Sequence, residues 1–398
     1  MLFLSLLGAV SALPSPSCML NNESCPIPRG WVADWSVLNS TAMMAGADTP
    51  AGFAPKHHWG YVTLDWQCGY ANWLGPPGTP ASATTCEATS AANCAALKAS
   101  GAVRRCGIYH NMELALQWLE SNRAVMDDAH VKAGWFLMAK RQGGGSAGKV
   151  LDMPRTVGGR AAPLLSQWYI DWRNAEAAAF FTAAIVNSTL RNGVDATFTD
   201  DLPGAGAEHS ELQNQTGLSD AAVEALRFAT QQAEMTIASA LAVGGKFCWD
   251  CVGGEDGPEG SSYSMNQVPP PNNTAGCAAW FRRYCAPEMQ GRGMFMDWAC
   301  PTAGGVPCGD DPRREQTLAA FLVTRGPYAF LGGRNLRDHS WHPLFATDVG
   351  EPLGLCVEAA PNVFERQWSK GTAGLDCNTY TAKLPFGLLD MGGIDDAR

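Results

Sequence analysis

The stretch Gln167-Trp-Tyr-Ile-Asp171-Trp-Arg-Asn174, followed by an alanine-rich segment and then Gly193-Val-Asp-Ala-Thr-Phe-Thr-Asp200-Asp201, decides how this chain is read. The first run is β-prone and ends in an acid. Residues 174–190 carry Ala178, Phe181, Ala184 and Ile185 on one helical stripe. The second run is again β-prone and again ends in acids. Strand, helix and strand in this order predict a crossover unit with two parallel strands.

The same rhythm continues on both sides. Upstream lie Trp59-Gly-Tyr-Val-Thr-Leu-Asp65-Trp66 and Arg105-Cys-Gly-Ile-Tyr-His-Asn111, read as strands, then a helix over about 113–128 and a further strand over 134–140. Residues 69–94, rich in Pro, Ala, Thr and Cys, read as a loop. Downstream, Ser219-Asp220 caps a helix through Leu241, and Lys246-Phe-Cys-Trp-Asp250 follows as a strand. A helix over 278–288 leads to Gly293-Met-Phe-Met-Asp297-Trp298, and a helix over 312–324 precedes Tyr328-Ala-Phe-Leu331. Alternation of this kind predicts an α/β fold, and about 250 residues of it is the usual size of a closed (β/α)8 TIM-type barrel. The expected organisation is a signal peptide over 1–12, a lead-in over 13–55, the barrel over 56–345, and final barrel elements or a small β segment over 346–398.

Composition points to export. Leu2 to Val10 form a short apolar run, and Val10-Ser11-Ala12 is a small-residue cleavage pattern. That run is far below the roughly 20 residues a membrane span needs, and no later segment is apolar for long enough. The chain carries 14 Cys, which in an oxidising compartment predicts disulfide-braced loops. Asn22, Asn39, Asn187, Asn214 and Asn272 each head a glycosylation triplet. These features predict a secreted protein. A net charge of −10 with no basic cluster argues against nucleic acid as a partner.

Acids recur at predicted strand ends: Asp65, Asp171, Asp200 with Asp201, Asp250 and Asp297, several beside Trp66, Trp172, Trp249 or Trp298. Strand C-termini of a barrel open on one face, so these acids would converge there. Taken singly, each acid is better read as capping the next helix or ion pairing, and each Trp as core packing. As a set, carboxylates ringed by indoles suit cleavage of glycosidic bonds, with one acid protonated and another ionised.

The pairing of Asp171-Trp-Arg-Asn174 with Gly193-Val-Asp195-Ala-Thr-Phe-Thr-Asp200-Asp201, and Val62-Thr-Leu-Asp65-Trp66 upstream, resembles the uncharacterised family called hypothetical glycosyl hydrolase 15. Ala196 stands where that pattern usually has Gly, and the cysteines are additional. The resemblance implies a barrel and a carboxylate mechanism with a carbohydrate substrate, and it places Asp200 at the end of the fourth strand as nucleophile or base. Asp297 is then the first choice for the second acid and Asp65 the next. Trp66, Tyr109, Asn111, Asp171, Asp201, Asp250 and Trp298 are the expected substrate-binding residues, with burial of Tyr109 beside a structural His110 as the plainer alternative. No cofactor and no metal is expected. Rival readings are an inactive glycan-binding barrel and a secreted structural or cell-surface protein.

Other signals lead elsewhere. Gly143-Gly-Gly-Ser-Ala-Gly148-Lys149 has phosphate-loop spacing, but Val150 replaces the hydroxyl residue that would hold Mg²⁺. Cys248 and Cys251 have redox-motif spacing yet straddle a strand end, which favours structural disulfides. His57-His58 and His339 with His342 lack a third nearby ligand.

Overall fold

The computed structural model describes residues 34–45, 58–66, 86–140, 149–153, 156–157, 160–161, 166–204, 208–250, 263–266, 269–287, 293–297, 313–327, 329–333, 341 and 343–385. The expected leader, the phosphate-loop-like segment, Cys251, Trp298, His57, His339 and His342 lie outside them. The elements that matter are, in chain order, β1 (Thr41–Ala45), β2 (Trp59–Leu64), α1 (Cys86–Ala99), β3 (Val103–Asn111), β4 (Leu114–Leu116), β5 (Gln167–Tyr169), α2 (Ala175–Thr189), β6 (Ala196–Asp200), α3 (Glu208–Thr216), α4 (Asp220–Val243) and β7 (Phe247–Asp250). They continue with α5 (Thr274–Tyr284), β8 (Gly293–Asp297), α6 (Arg314–Thr324), β9 (Ala329–Gly333), β10 (Val357–Ala360), β11 (Val363–Trp368), β12 (Gly371–Asp376) and β13 (Thr381–Lys383). The chain divides into two units, one drawing chiefly on 62–264 and the other on 32–44, 57–61 and 265–398.

In the first unit β2, β3, β6 and β7 are neighbours in that order. β3 and β6 run parallel with Gly107 opposite Ala196 and Asn111 opposite Asp200, and β6 and β7 run parallel with Thr199 opposite Asp250. The last six residues of β3 are all buried, the continuous burial expected of a strand covered on both faces. Helices α1, α2 and α4 pack on these strands. α2 starts where the Asn174 side chain accepts from the backbone N–H groups of Glu176 and Ala177, and α4 where Ser219 accepts from Ala222. Val223, Leu226, Thr230, Ala233, Ile237 and Leu241 form the buried face of α4 at helical spacing.

Three local expectations change. Residues 86–94, expected as loop, belong to α1, because Cys86, Ser90, Ala91, Cys94 and Leu97 recur at helical spacing and all are buried. Residues 113–128 are not one helix: Leu114–Leu116 pairs antiparallel with Gln167–Tyr169, and only the short helices Glu120–Arg123 and Asp128–Lys132 follow. Residues 134–140 make isolated bridges, Phe136 to Ile170 and Met138 to Val150, instead of a strand. In both latter cases pairing with residues distant in sequence overrides local propensity.

In the second unit β8 and β1 flank β9 in parallel, with Asp297 opposite Gly332 and Thr41 opposite Leu331. The C-terminal expectation of Gly-punctuated β structure becomes a four-stranded antiparallel sheet, β10 to β13 in sequence order. α6 lies on that sheet, and every residue from Thr317 to Thr324 is buried. Disulfides Cys277–Cys377 and Cys285–Cys356 anchor α5 across 100 and 71 residues of chain, while Cys94–Cys106 joins α1 to β3 in the first unit.

The second unit also buries two arginines. Arg325 donates to the carbonyls of Asp34 at 2.7 Å and Trp35 at 3.2 Å and to Ser40 Oγ at 2.8 Å. Arg366 donates to the carbonyls of Gly354 and Arg325. Both guanidinium groups lie 5.4 Å from the Trp35 ring centre. Burial, with Arg366 nearby, lowers Arg325 to about 9, and burial lowers Arg366 to about 10.

Candidate active site

The motif Gly193-Val-Asp195 sets the entry of β6. Gly193 has φ of 94°, and a Cβ there would stand 2.8 Å from that of Ala95 and 2.9 Å from the Ala91 carbonyl, so only glycine fits. Lys98 of α1 binds both Asp195 oxygens at 2.8 Å, and the same carboxylate accepts the Cys106 N–H at 2.9 Å. Asp195 therefore ties α1, β3 and β6 together at the strand's start, which aligns the ends of β3 and β6 at the other side of the ladder.

At those ends the predicted residues meet. Asn111 Nδ2 donates to Asp201 Oδ2 at 2.6 Å and to Tyr109 Oη at 2.9 Å, and the Tyr109 phenol feels the charge of Asp200. Asp200 Oδ1 accepts the Asp201 N–H at 3.0 Å. Asp201 sits at φ 58°, a left-handed conformation that Asp tolerates better than most residues and that redirects the chain as it leaves β6. Burial, then Asp200 and Asp201, pushes the Tyr109 phenol well above its ordinary value, so it stays a hydrogen-bond donor.

The sequence reading missed Glu113. Asn111 Oδ1 accepts the N–H groups of Glu113 at 2.8 Å and Leu114 at 2.6 Å, which turns the chain out of β3. β4 then pairs with β5, placing Leu114 opposite Tyr169, and the Glu113 carbonyl accepts the Ile170 N–H at 2.9 Å. The Glu113 side chain is 6% exposed and makes no hydrogen bond among the described residues. Burial, with Glu208, Asp201, Glu211 and Asp200 around it, pushes its carboxyl up to about 8. Tyr169 is raised in turn by burial and by Glu113, Glu211, Glu208 and Asp201, and Glu208 is raised by partial burial and by Asp201, Glu211 and Asp200. At neutral pH this leaves a protonated carboxylic acid facing ionisable carboxylates, the asymmetry that acid/base chemistry requires. The one local signal was Asn111 two residues before Glu113, since an Asn side chain commonly bonds its own backbone two residues on in an Asx turn.

The other expected site residues fall as follows. Asp65 directly follows β2 and is 3% exposed; Trp66 beside it is half-buried, packs against Trp118 at 5.7 Å and accepts Trp118 Nε1 on its carbonyl. Asp171 grips Arg173 in a two-point ion pair at 2.8 and 2.7 Å, and β5 before it pairs with β4 rather than with the parallel strands. Asp250 ends β7 opposite Thr199; its side chain is outside the described residues. Asp297 ends β8 in the second unit, also without a described side chain, and Trp298 is outside the described residues. His110 is a core residue: its Nδ1 pairs with Thr197 Oγ1 at 2.7 Å and its Nε2 with Ser188 Oγ at 2.8 Å, and burial lowers it to about 3. Trp118, Trp172 and Trp368 are buried core indoles.

Among the described residues no group of three or more His, Cys, Asp or Glu is arranged to hold a metal ion, and no helix is long and apolar enough to cross a membrane. No known family profile and no curated protein matches the chain. Solved structures similar in backbone include a GH31 family sulfoquinovosidase from E. rectale, at 13% identity over 83% of this chain and 47% of that one, TM-score 0.46. This chain thus spans about half of that enzyme. A sucrose 6F-phosphate phosphorylase from Thermoanaerobacter thermosaccharolyticum is 10% identical over 88% of this chain and 96% of its own, TM-score 0.41. An alpha-L-fucosidase isoenzyme 2 from Paenibacillus thiaminolyticus is 10% identical over 77% and 48%, TM-score 0.39. The chemistry of the site is read from its own side chains.

Proposed function

We propose that the protein is a secreted glycoside hydrolase with a (β/α)8 barrel, working by two carboxyl groups, Glu113 as proton donor and Asp200 as the ionised partner. The observation that carries this reading is Glu113, a residue 6% exposed whose carboxyl makes no hydrogen bond among the described residues and which follows Asn111 and Met112 at the Asp200–Asp201 strand end. Glu113 gives its proton to the leaving glycosidic oxygen as the bond to the anomeric carbon breaks. Asp200, whose Oδ1 accepts the Asp201 N–H, attacks that carbon or takes a proton from the attacking water. In sum one water adds across the bond: its hydroxyl ends on the anomeric carbon, one proton on the departing sugar, and both carboxyl groups return to their starting state. Asn111 and Asp201 position the pair, and Asp65, Trp66, Asp171 and Asp250 are the further contacts we assign to the sugar. Asp297 and Asp65, the partner acids read from the sequence, give way to Glu113 in this assignment.

Export is supported by the disulfides, and by Asn187, Asn214 and Asn272, whose side chains are exposed; Asn39 is half-buried and bonded to Asp34 and His58. The test is a hydrolysis screen of oxidised protein against a broad glycan panel, with Asp200→Asn and Glu113→Gln beside it. Folded variants that lose about 10²-fold or more in rate support the pair. Full activity in Glu113→Gln would remove it as the donor, and glycan retention without cleavage would favour the inactive binding barrel.

A further inference from the structure

The Asn111 amide settles which way the Tyr109 hydroxyl can point. Asn111 Oδ1 accepts the main-chain N–H groups of Glu113 at 2.8 Å and Leu114 at 2.6 Å, so the backbone fixes the amide's orientation. Its nitrogen is thereby turned to Tyr109 Oη at 2.9 Å and Asp201 Oδ2 at 2.6 Å. An amide nitrogen only donates, so the phenol oxygen is the acceptor in this contact, and its single hydrogen is not spent on Asn111. The register shows where that hydrogen can go. In the parallel ladder Tyr109 lies opposite Phe198 and Asn111 opposite Asp200. Alternate residues share a face, so Tyr109 and Asp200 stand diagonally across one face, within reach of a long aromatic side chain. The Tyr109 ring is buried against Phe198 at 5.9 Å, and the contact with Asn111 brings its hydroxyl level with the strand end. Of the two acids there, Asp201 already holds the Asn111 N–H on Oδ2. Asp200 holds the Asp201 N–H through Oδ1, which leaves Oδ2 for a further donor.

We infer that Tyr109 is a positioning residue whose phenol O–H donates to the Asp200 carboxylate, aiming it and holding its negative charge, an inference that rests on the glycosidase reading. No proton changes hands in this contact. The phenol keeps its hydrogen throughout, as expected of a hydroxyl that burial and the Asp200 and Asp201 charges hold in the protonated form. The other ionisable groups within electrostatic reach of Asp200 among the described residues are Asp201 beside it, Glu113 before β4 and Glu208 on α3, all of them acids. Like charges favour the protonated form of a carboxyl and hydrogen-bond donors favour the ionised form. The Tyr109 hydroxyl and the Asp201 N–H are thus the contacts that work against the surrounding acids. A residue acting this way governs turnover and its pH dependence, and leaves affinity for the sugar in place.

The test is Tyr109→Phe in full-length, oxidised protein, which removes the hydroxyl and keeps the ring. On a glycan that wild type cleaves, kcat should fall about tenfold or more while KM stays within about twofold. The acid limb of the pH–rate profile should move up by about one unit, the usual size of a lost bond to a charged group. A second readout needs no activity: ¹³C-labelled aspartate carboxyls are titrated by NMR, with Asp200→Asn identifying the Asp200 signal. That signal should titrate at higher pH in Tyr109→Phe than in wild type. 3-Fluorotyrosine at position 109, a stronger donor of nearly the same shape, should move both readouts the other way, and it serves as the test where Tyr109→Phe does not fold. A folded variant whose acid limb and Asp200 signal stay in place overturns the inference. So does a raised KM with kcat retained, which would make Tyr109 a sugar contact. If wild type cleaves no glycan, the glycosidase reading falls, and the carboxyl titration still decides whether Tyr109 donates to Asp200.

Discussion

In the first unit Glu113 is buried and its carboxyl is raised by the charges of Glu208, Asp201, Glu211 and Asp200; in the second, Arg325 and Arg366 are buried side by side. Both arrangements confine like charges, and both shift the groups toward their neutral forms, Glu113 up to about 8 and Arg325 down to about 9. They differ in what meets the polar atoms. Donors of Arg325 end on the Asp34 and Trp35 carbonyls and Ser40, and its face lies over Trp35 and Phe321. The Glu113 carboxyl ends on no hydrogen-bond partner among the described residues. A buried charge whose bonds are completed by its own chain is part of the architecture; one left open is a place where substrate chemistry happens.

The comparison can be broken by substitution. The largest expected effect is on cleavage: Asp200→Asn and Glu113→Gln should each lower turnover by about 10²–10⁴-fold with the fold retained, whereas no variant at Arg325 that still folds should do so. Stability should respond in the opposite sense. Glu113 binds its proton more tightly folded than unfolded, so its contribution is full below about pH 4.5 and is lost as pH rises toward 8. Thermal or urea melts of wild type should weaken across that window by up to about 4 kcal/mol, and Glu113→Gln should flatten the profile and be the more stable protein at pH 8. A wild-type profile with no slope there would show that Glu113 is already ionised.

Next in size, Arg325→Met leaves the Asp34 and Trp35 carbonyls without their donors and should cost about 3 kcal/mol, read as a lower urea midpoint. An unchanged midpoint would mean the arginine is no more structural than Glu113. The smallest effect tests the coupling itself. Glu208 is the first of the charges that raise Glu113, so Glu208→Gln should move the alkaline limb of the pH–rate profile downward by about half a unit.

Periodicity and capping made much of the first unit legible. β3, α2, β6 and α4 appear where the apolar patterns and the Ser219 cap put them, because those signals act over a few neighbouring residues. Strand ends are local features too, so the meeting of Tyr109, Asn111, Asp200 and Asp201 was within reach of sequence. Glu113 was not. Its place depends on Leu114 lying opposite Tyr169, a pairing between residues far apart in the chain, and the short β4 carries no strand signal of its own. Asp171 was misleading for the same reason: its strand joins β4, and the acid holds Arg173.

The sequence by itself therefore determined the alternating α/β plan, the cysteine-rich character and the acids at the strand ends, all written in spacing and residue type. Only the tertiary structure decided which carboxyl carries a proton. That depends on burial and on the charges brought around it, and neither exists until distant segments pack.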